Sequence, residues 1–490
     1  MYSVTNLIFK NQLVLFIFFT CLITRFATTI FYIEDIDSLR FFLSAFDYNV
    51  IEGRPHFPGY PVYCFILKII FSITGSIEYT FSIIGGFSMF LIIYFINKLC
   101  LLFSGKNNYV LIFILLFNPL LWLMSNRFMP DILGLSCLIL SIFYFLKFIK
   151  TKDSKILFYL AFSISFLFGI RLSYIPFLIP LIYLLYIDYK SFLKLSFFTF
   201  IISMIWFLPW VLISGFDDLV NLAFHDLNGH FNEWGGTVYS GNSSLIYRLN
   251  MTIKSIFSDG FGFWWHDRHY LTFINLIFLI PFFIIGIFYI FLNYKKNLIP
   301  FSLIFTCLFF YLIWIILYQN VVYKPRHILP LIPFFSLIIS FGFNWIFKQK
   351  FKIIKYCFFI IIFFPYLICS LKINHQHSSN KSSLSQMHEY IQNRNENPII
   401  VISENLKINY FKKNFYNYNL NSLNDITYFN SKYFFKKNNI LSINKKNLII
   451  LSTIELPTQS YKLVKKNYFF HNPYVNRLWD HLILYEYKKK

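Results

Sequence analysis

Apolar runs of membrane-spanning length, separated by short polar loops, fill the first three quarters of this chain. They predict helices near 11–32, 79–99, 109–125, 131–150, 156–171, 174–189, 192–213, 270–293, 298–319, 328–347 and 352–371. About 20 consecutive apolar residues cross the hydrocarbon core of a bilayer, so each run reads as a transmembrane helix. One further apolar stretch, Val62–Ile73, is short, follows Pro58 and Pro61, and carries Lys68; it reads equally as a span or as an interfacial segment. After Leu371 the pattern changes. Ser383–Arg394 predicts a helix, Pro398–Ser403 and Leu448–Ser452 predict buried strands, and His481–Tyr487 alternates as a strand does. The expected fold class is therefore a polytopic α-helical membrane protein of about eleven transmembrane helices with a small α/β C-terminal extramembrane domain. The expected domains are 1–371 and 372–490.

Charge orients this pattern. The formal net charge is +22, yet the chain is only 13% charged and its basic residues are dispersed. Many sit in short loops such as Lys150–Lys155, Lys295–Lys296 and Lys348–Lys355, a positive-inside signal and not a nucleic-acid face. With Val62–Ile73 left interfacial, these loops all fall on the cytoplasmic side. The first loop (33–78), the long loop (214–269), the turns near Asn126–Asp131 and Arg171–Ser173, the Tyr318–His327 loop and the tail then fall together outside. The tail after Leu371 carries eighteen Lys/Arg against seven Asp/Glu. Six of the seven cysteines lie within or beside apolar runs with no paired spacing, which excludes a disulfide framework or a cysteine zinc site. The run Leu13–Phe31 is too long for a signal-peptide core and reads as an uncleaved signal anchor.

Candidate chemistry concentrates in the first loop. Glu34, Asp35, Asp37 and Asp47 fall within fourteen residues of a chain poor in acids. Asp35 and Asp37, one residue apart, are suited to share a divalent cation, magnesium or manganese, through hard oxygen ligands. One of them also suits a general base. The structural alternative is a solvated loop or a helix start, with Asp37 suited to N-cap Ser38–Phe46. His56-Phe57-Pro58-Gly59-Tyr60-Pro61 fixes a sharp turn holding Arg54 and His56 at the surface. The long loop contributes Glu233, Trp234, Trp265 and His266, with His266 and His269 spaced as an H-x-x-H pair. Its aromatics suit either an interfacial belt or stacking on a sugar.

The segments EDID at 34–37, HFPGYP at 56–61, NRFMPD at 126–131, GIRLSYIPFLIP at 169–180 and KPRHILPLIP at 324–333 resemble, in order and spacing, the polyprenyl-phosphate-sugar-dependent glycosyltransferases of the GT-C superfamily. The resemblance runs toward the bacterial branch near the protein O-mannosyltransferases and lipid A sugar transferases. The acidic motif departs from the Asp-Glu pair of the O-mannosyltransferases and is similar to the Asp-x-Asp of GPI mannosyltransferases. The resemblance implies Asp35 as catalytic base or metal ligand, supported by Asp37. It implies a donor-phosphate set of Arg54, His56, Arg127, Arg171, Lys324, Arg326 and His327, and acceptor or sugar contacts from Glu233, Trp234, Trp265 and His266. The partners implied are a polyprenyl-phosphate-sugar donor, a glycan, lipid or protein acceptor, and the bilayer, with no nucleic acid. The place implied is the outer face of a plasma membrane. A flippase or transporter of lipid-linked sugars, or a polysaccharide polymerase, is the alternative. Such a path calls for ionisable residues at span centres, whereas here they gather at helix ends.

Overall fold

The structure is a computed structural model, and it describes residues 2–105, 107–234, 236–240, 243–262, 271–293, 298–347, 352–394, 399–412, 426–434, 448–456, 461–472, 477 and 479–489. The chain divides into two compact units. One comprises Met1–Ile30 with Leu43–Ser379, the other Phe31–Phe42 with Asn380–Lys490. The second unit thus takes in a short piece from the first loop.

The first unit is helical throughout. Its helices in chain order are α1 (Tyr2–Ala27), the latter part of α2 (Ile36–Phe46), α3 (Pro61–Thr74), α4 (Ile77–Ser104), α5 (Tyr109–Leu116) and α6 (Pro119–Asn126). There follow α7 (Asp131–Thr151), α8 (Ser154–Ile170), α9 (Ile182–Ile187), α10 (Tyr189–Ser214), α11 (Phe216–Asn228) and α12 (Leu245–Lys254). The last are α13 (Leu271–Asn293), α14 (Leu298–Tyr318), α15 (Ile332–Ile346) and α16 (Lys352–Ser379). Among the described residues six helical stretches are long and apolar enough to cross a membrane, or seven if the bent pair α5 and α6 forms one span. The eleven runs read from the sequence all became helix, but several are shorter or broken. Val62–Ile73 became α3, an apolar helix of 14 residues.

The break between α5 and α6 follows from Pro119, which can neither donate an N–H nor leave Asn118 helical. The two helices meet at 49°. Carbonyls freed inside a membrane need donors, and each finds one. Arg25 Nη2 donates to Leu116 O at 3.3 Å, Tyr366 OH to Ile114 O at 3.2 Å, and Ser370 Oγ to Phe117 O. Asn118 accepts from Leu121 N at 2.9 Å and so restarts the helix. Elsewhere small residues let helices approach. A β-carbon on Gly286 of α13 would stand 2.0 Å from Ile338 O, and one on Gly342 of α15 would stand 2.0 Å from Phe282 O, the close backbone packing that holds membrane helices together.

The second unit carries a five-stranded sheet of order β2-β1-β3-β5-β4. Its strands are β1 (Ile399–Ser403), β2 (Ile426–Asn430), β3 (Ile449–Ser452), β4 (Tyr461–Phe470) and β5 (His481–Lys489). β1 pairs in parallel with β2 and β3, and β5 runs antiparallel to β3 and β4. The helices here are α17 (Ser383–Gln392), α18 (Asn405–Phe411) and α19 (Ser431–Phe434). Strands β1 and β3, apolar except for a closing serine in each, are buried on both faces, as parallel strands covered by helices should be. Ile400, Ile402, Leu448, Ile450, Leu456 and Tyr487 form its core.

Candidate active site

Prolines set the backbone of the site. Pro176 and Pro180 cannot supply α-helical hydrogen bonds, so the chain after α8 winds as a 3-10 segment, Leu172–Leu181. Pro325 and Pro330 do the same after α14, giving the 3-10 segment Pro325–Leu331. Basic residues stand where each segment begins: Arg171 at the first, Lys324, Arg326 and His327 at the second.

Arg171 Nη2 lies 2.9 Å from Asp131 Oδ1, and both side chains are almost wholly removed from solvent. Gly134, one turn into α7, makes room for the arginine stem; a β-carbon there would stand 2.6 Å from Arg171 Cβ. Arg326 Nη1 donates to Met129 Sδ at 3.5 Å, and Tyr63 OH donates to Met129 O at 3.0 Å. The turn carrying Arg127 is thus gripped from α3 and from the segment after α14. Tyr311 OH donates to His327 O at 3.1 Å, and the ring of Tyr311 meets Tyr174 edge-on at 6.2 Å. The guanidinium of Arg171 sits 5.8 Å over the Tyr174 ring. His56 Nε2 and Tyr60 OH share a hydrogen bond of 2.9 Å, and Tyr60 lies within electrostatic reach of Arg171. Arg326, Arg171, Lys324 and His230 all lie within electrostatic reach of His327.

His56, Arg127, Arg171, Lys324, Arg326 and His327 therefore gather in the first unit. Arg54 is differently engaged. Its Nη2 lies 2.8 Å from Asp47 Oδ2 and 2.6 Å from Glu52 Oε2, and its backbone bridges Asn49 across a tight turn.

The acidic motif belongs to the second unit. Asp35 Oδ1 accepts from Ser38 N at 2.8 Å and from Ser38 Oγ at 2.7 Å, while Asp35 N donates to Ser38 Oγ at 3.0 Å. This reciprocal pair is a capping box, with serine in the place usually held by glutamate or glutamine. The cap of α2 is Asp35, and the expectation that Asp37 caps a helix at Ser38 is corrected: the helix starts at Ile36. Asp37 lies in the first turn, 4.0 Å from Arg40 Nη1. Among the described residues no group of three His, Cys, Asp or Glu side chains is placed to hold a metal ion. Asp35 and Asp37 offer two carboxyl groups, one of them engaged as a helix cap; a magnesium ion takes one or two carboxylates and completes its shell with water and substrate phosphate, so this pair would suffice to hold one.

The long loop is fastened to the end of α14. Arg248 donates from Nε to Ile316 O at 2.5 Å and from Nη2 to Gln319 O at 2.7 Å. Val238 N donates to Leu317 O at 3.0 Å and His230 Nε2 to Tyr318 O at 2.9 Å. The carbonyls that a helix C-terminus leaves unmet are all supplied. Glu233 accepts from Asn228 Nδ2 at 2.5 Å, and Trp234 is exposed near His225. Trp265 and His266, with His269, lie outside the described residues.

Residues 55–213 match the family model described as dolichyl-phosphate-mannose-protein mannosyltransferase. In structure the chain is similar to ArnT from Cupriavidus metallidurans bound to undecaprenyl phosphate. That likeness has a TM-score of 0.58 at 10% identity over 97% of this chain and 98% of that one. The apo state of the same protein gives 0.58 at 9% identity over the same shares. The oligosaccharyltransferase of Archaeoglobus fulgidus tethered with an acceptor peptide gives 0.50 at 13% identity, over 81% of this chain and 62% of that one. Among curated proteins, none matches the chain by sequence. The chain shares the fold of these solved structures.

With this fold and its long apolar helices, the chain is a multi-pass membrane protein. Sequence reading overlooked several residues that build its basic cluster. Asp131, Met129, Tyr60 and Tyr174 stood within the resembling segments but carried no expected role, and neither did Tyr63 and Tyr311. An aspartate opening a membrane helix was the one available signal. The tyrosines were hidden among 35 in the chain.

Proposed function

We propose that this protein is a glycosyltransferase of the GT-C superfamily that moves a sugar from a polyprenyl-phosphate-linked donor to an acceptor hydroxyl at the outer face of a cell membrane, with inversion at the anomeric carbon. The observation that supports it most is the gathering of Arg127, Arg171 and Arg326 with Lys324, His56 and His327 about the Arg127–Asp131 turn. Guanidinium groups held in a low-dielectric setting stabilise the phosphate charge that grows as the glycosidic bond breaks. They are already positioned, so little reorganisation is needed at the moment of reaction. Asp35 is the proposed base. It takes the proton of the acceptor hydroxyl as that oxygen bonds to the anomeric carbon and the lipid phosphate leaves with the bonding pair, and Asp37 supports it. No step runs through a metal. Glu233 and Trp234 remain the proposed acceptor contacts.

The test is transfer from a radiolabelled polyprenyl-phosphate sugar in proteoliposomes. Asp35→Asn should cut turnover by at least about a hundredfold, within the range of general-base catalysis, with membrane insertion unchanged. Arg326→Gln should raise KM for the lipid donor and lower kcat. Wild-type turnover in Asp35→Asn would remove the assignment.

A further inference from the structure

The long loop carries two helices whose apolar residues face neither protein nor the polar side. In α11, Phe216, Val220, Phe224 and Leu227 form one stripe at helical spacing, and Phe224 is 71% exposed. Asp217, Asp218, Asn221 and His225 occupy another arc, and Leu219 alone is buried. In α12, Leu245, Ile246, Leu249 and Ile253 form a second exposed stripe, with Ile246 75% exposed. Asn250 and Lys254 lie to one side, while Arg248, Met251 and Thr252 turn inward. A helix with three such faces is docked on one, wetted on another and apolar on the third.

We infer that α11 and α12 lie in the membrane–water interface, their apolar stripes sunk among the lipid headgroups and upper acyl chains. Continuity with an existing lipid surface selects this partner. Only 11% of the apolar window of α10 is buried inside the protein, so its outward residues face acyl chains, up to the exposed Leu212 and Ile213. Gly215, with φ of 80°, a conformation glycine adopts readily, then turns the chain, and Phe216 opens the first stripe at the next residue. The exposed aromatic residues Trp234, Tyr239 and Tyr247 are the types that concentrate at headgroup depth. Such helices bury their apolar face about 5–10 Å into the headgroup and acyl boundary. The long loop is in this arrangement a membrane-surface platform and not a flap in water.

The experiment uses the full chain in nanodiscs of phosphatidylethanolamine and phosphatidylglycerol, with Cys357→Ser and single nitroxide labels after Phe224→Cys, Ile246→Cys, Asn221→Cys or Asn250→Cys. Oxygen should outcompete a soluble nickel chelate as relaxant at 224 and 246 by several-fold, and the order should reverse at 221 and 250. Equal access of the nickel chelate at all four sites would overturn the proposal in favour of a solvated loop. Exclusion of both relaxants at 224 and 246 would overturn it in favour of a protein partner or second copy. The readout does not depend on glycosyl transfer, and all four positions are surface residues whose labelling leaves the core intact.

Discussion

At the scale of single residues, Asp131 and Arg171 show how a buried pair behaves as a unit. Removing the cation alone leaves a carboxylate in an apolar setting, which costs about 3–5 kcal/mol, whereas replacing both partners by apolar residues of like volume is often near neutral. Arg171→Met should therefore lower the thermal midpoint of the purified protein sharply, and Arg171→Met with Asp131→Leu should recover most of that loss. If Arg171 also serves the phosphate, the double variant will be stable yet slow. Asp35 allows the converse separation. Asparagine caps helices as well as aspartate does, so Asp35→Asn should leave stability nearly unchanged while Asp35→Ala costs about 1 kcal/mol. None of this was legible in the sequence beyond the residue types. Asp131 and Arg171 are forty positions apart, and the cap was assigned to the wrong aspartate because Ser38 was read as the start of the helix and not as its partner.

At the scale of elements, the clasp between the long loop and α14 links stability to pH. Burial lowers the pKa of His230 from the usual 6.5, the hydrogen bond to Tyr318 O works against this, and Lys324 lowers it further. The folded clasp thus holds fewer protons than the unfolded loop. Its stability is fully present above about pH 6.5 and declines as pH falls below it. Limited proteolysis of the long loop should accelerate between pH 6.5 and 5, and His230→Gln should flatten that dependence. The interlocked glycines of α13 and α15 make a different prediction. Gly342→Val forces a side chain against Phe282 O and should cost about 1–3 kcal/mol or more by overpacking, read as faster thermal inactivation in detergent. Apolar runs announced these helices well because each run is long and uninterrupted. Their ends were less legible: the prolines at 119, 176 and 325 broke or tightened helices in ways that hydropathy does not register.

At the scale of the whole molecule, composition and loop charge were enough to give a polytopic helical protein followed by a small α/β unit, since bilayer thickness and backbone satisfaction leave few other solutions. What the sequence could not give was which distant side chains meet, because membrane helices with similar apolar faces pack by local shape. The clasp on α14 has an electrostatic consequence that reaches the basic cluster. A helix C-terminus carries roughly half a negative charge, and α14 ends a few residues before Lys324, Arg326 and His327. Left bare, that terminus would partly cancel the positive potential offered to the proposed donor phosphate. Arg248 delivers a full cation to those carbonyls, so the attraction generated by the neighbouring cluster remains undiminished for the ligand.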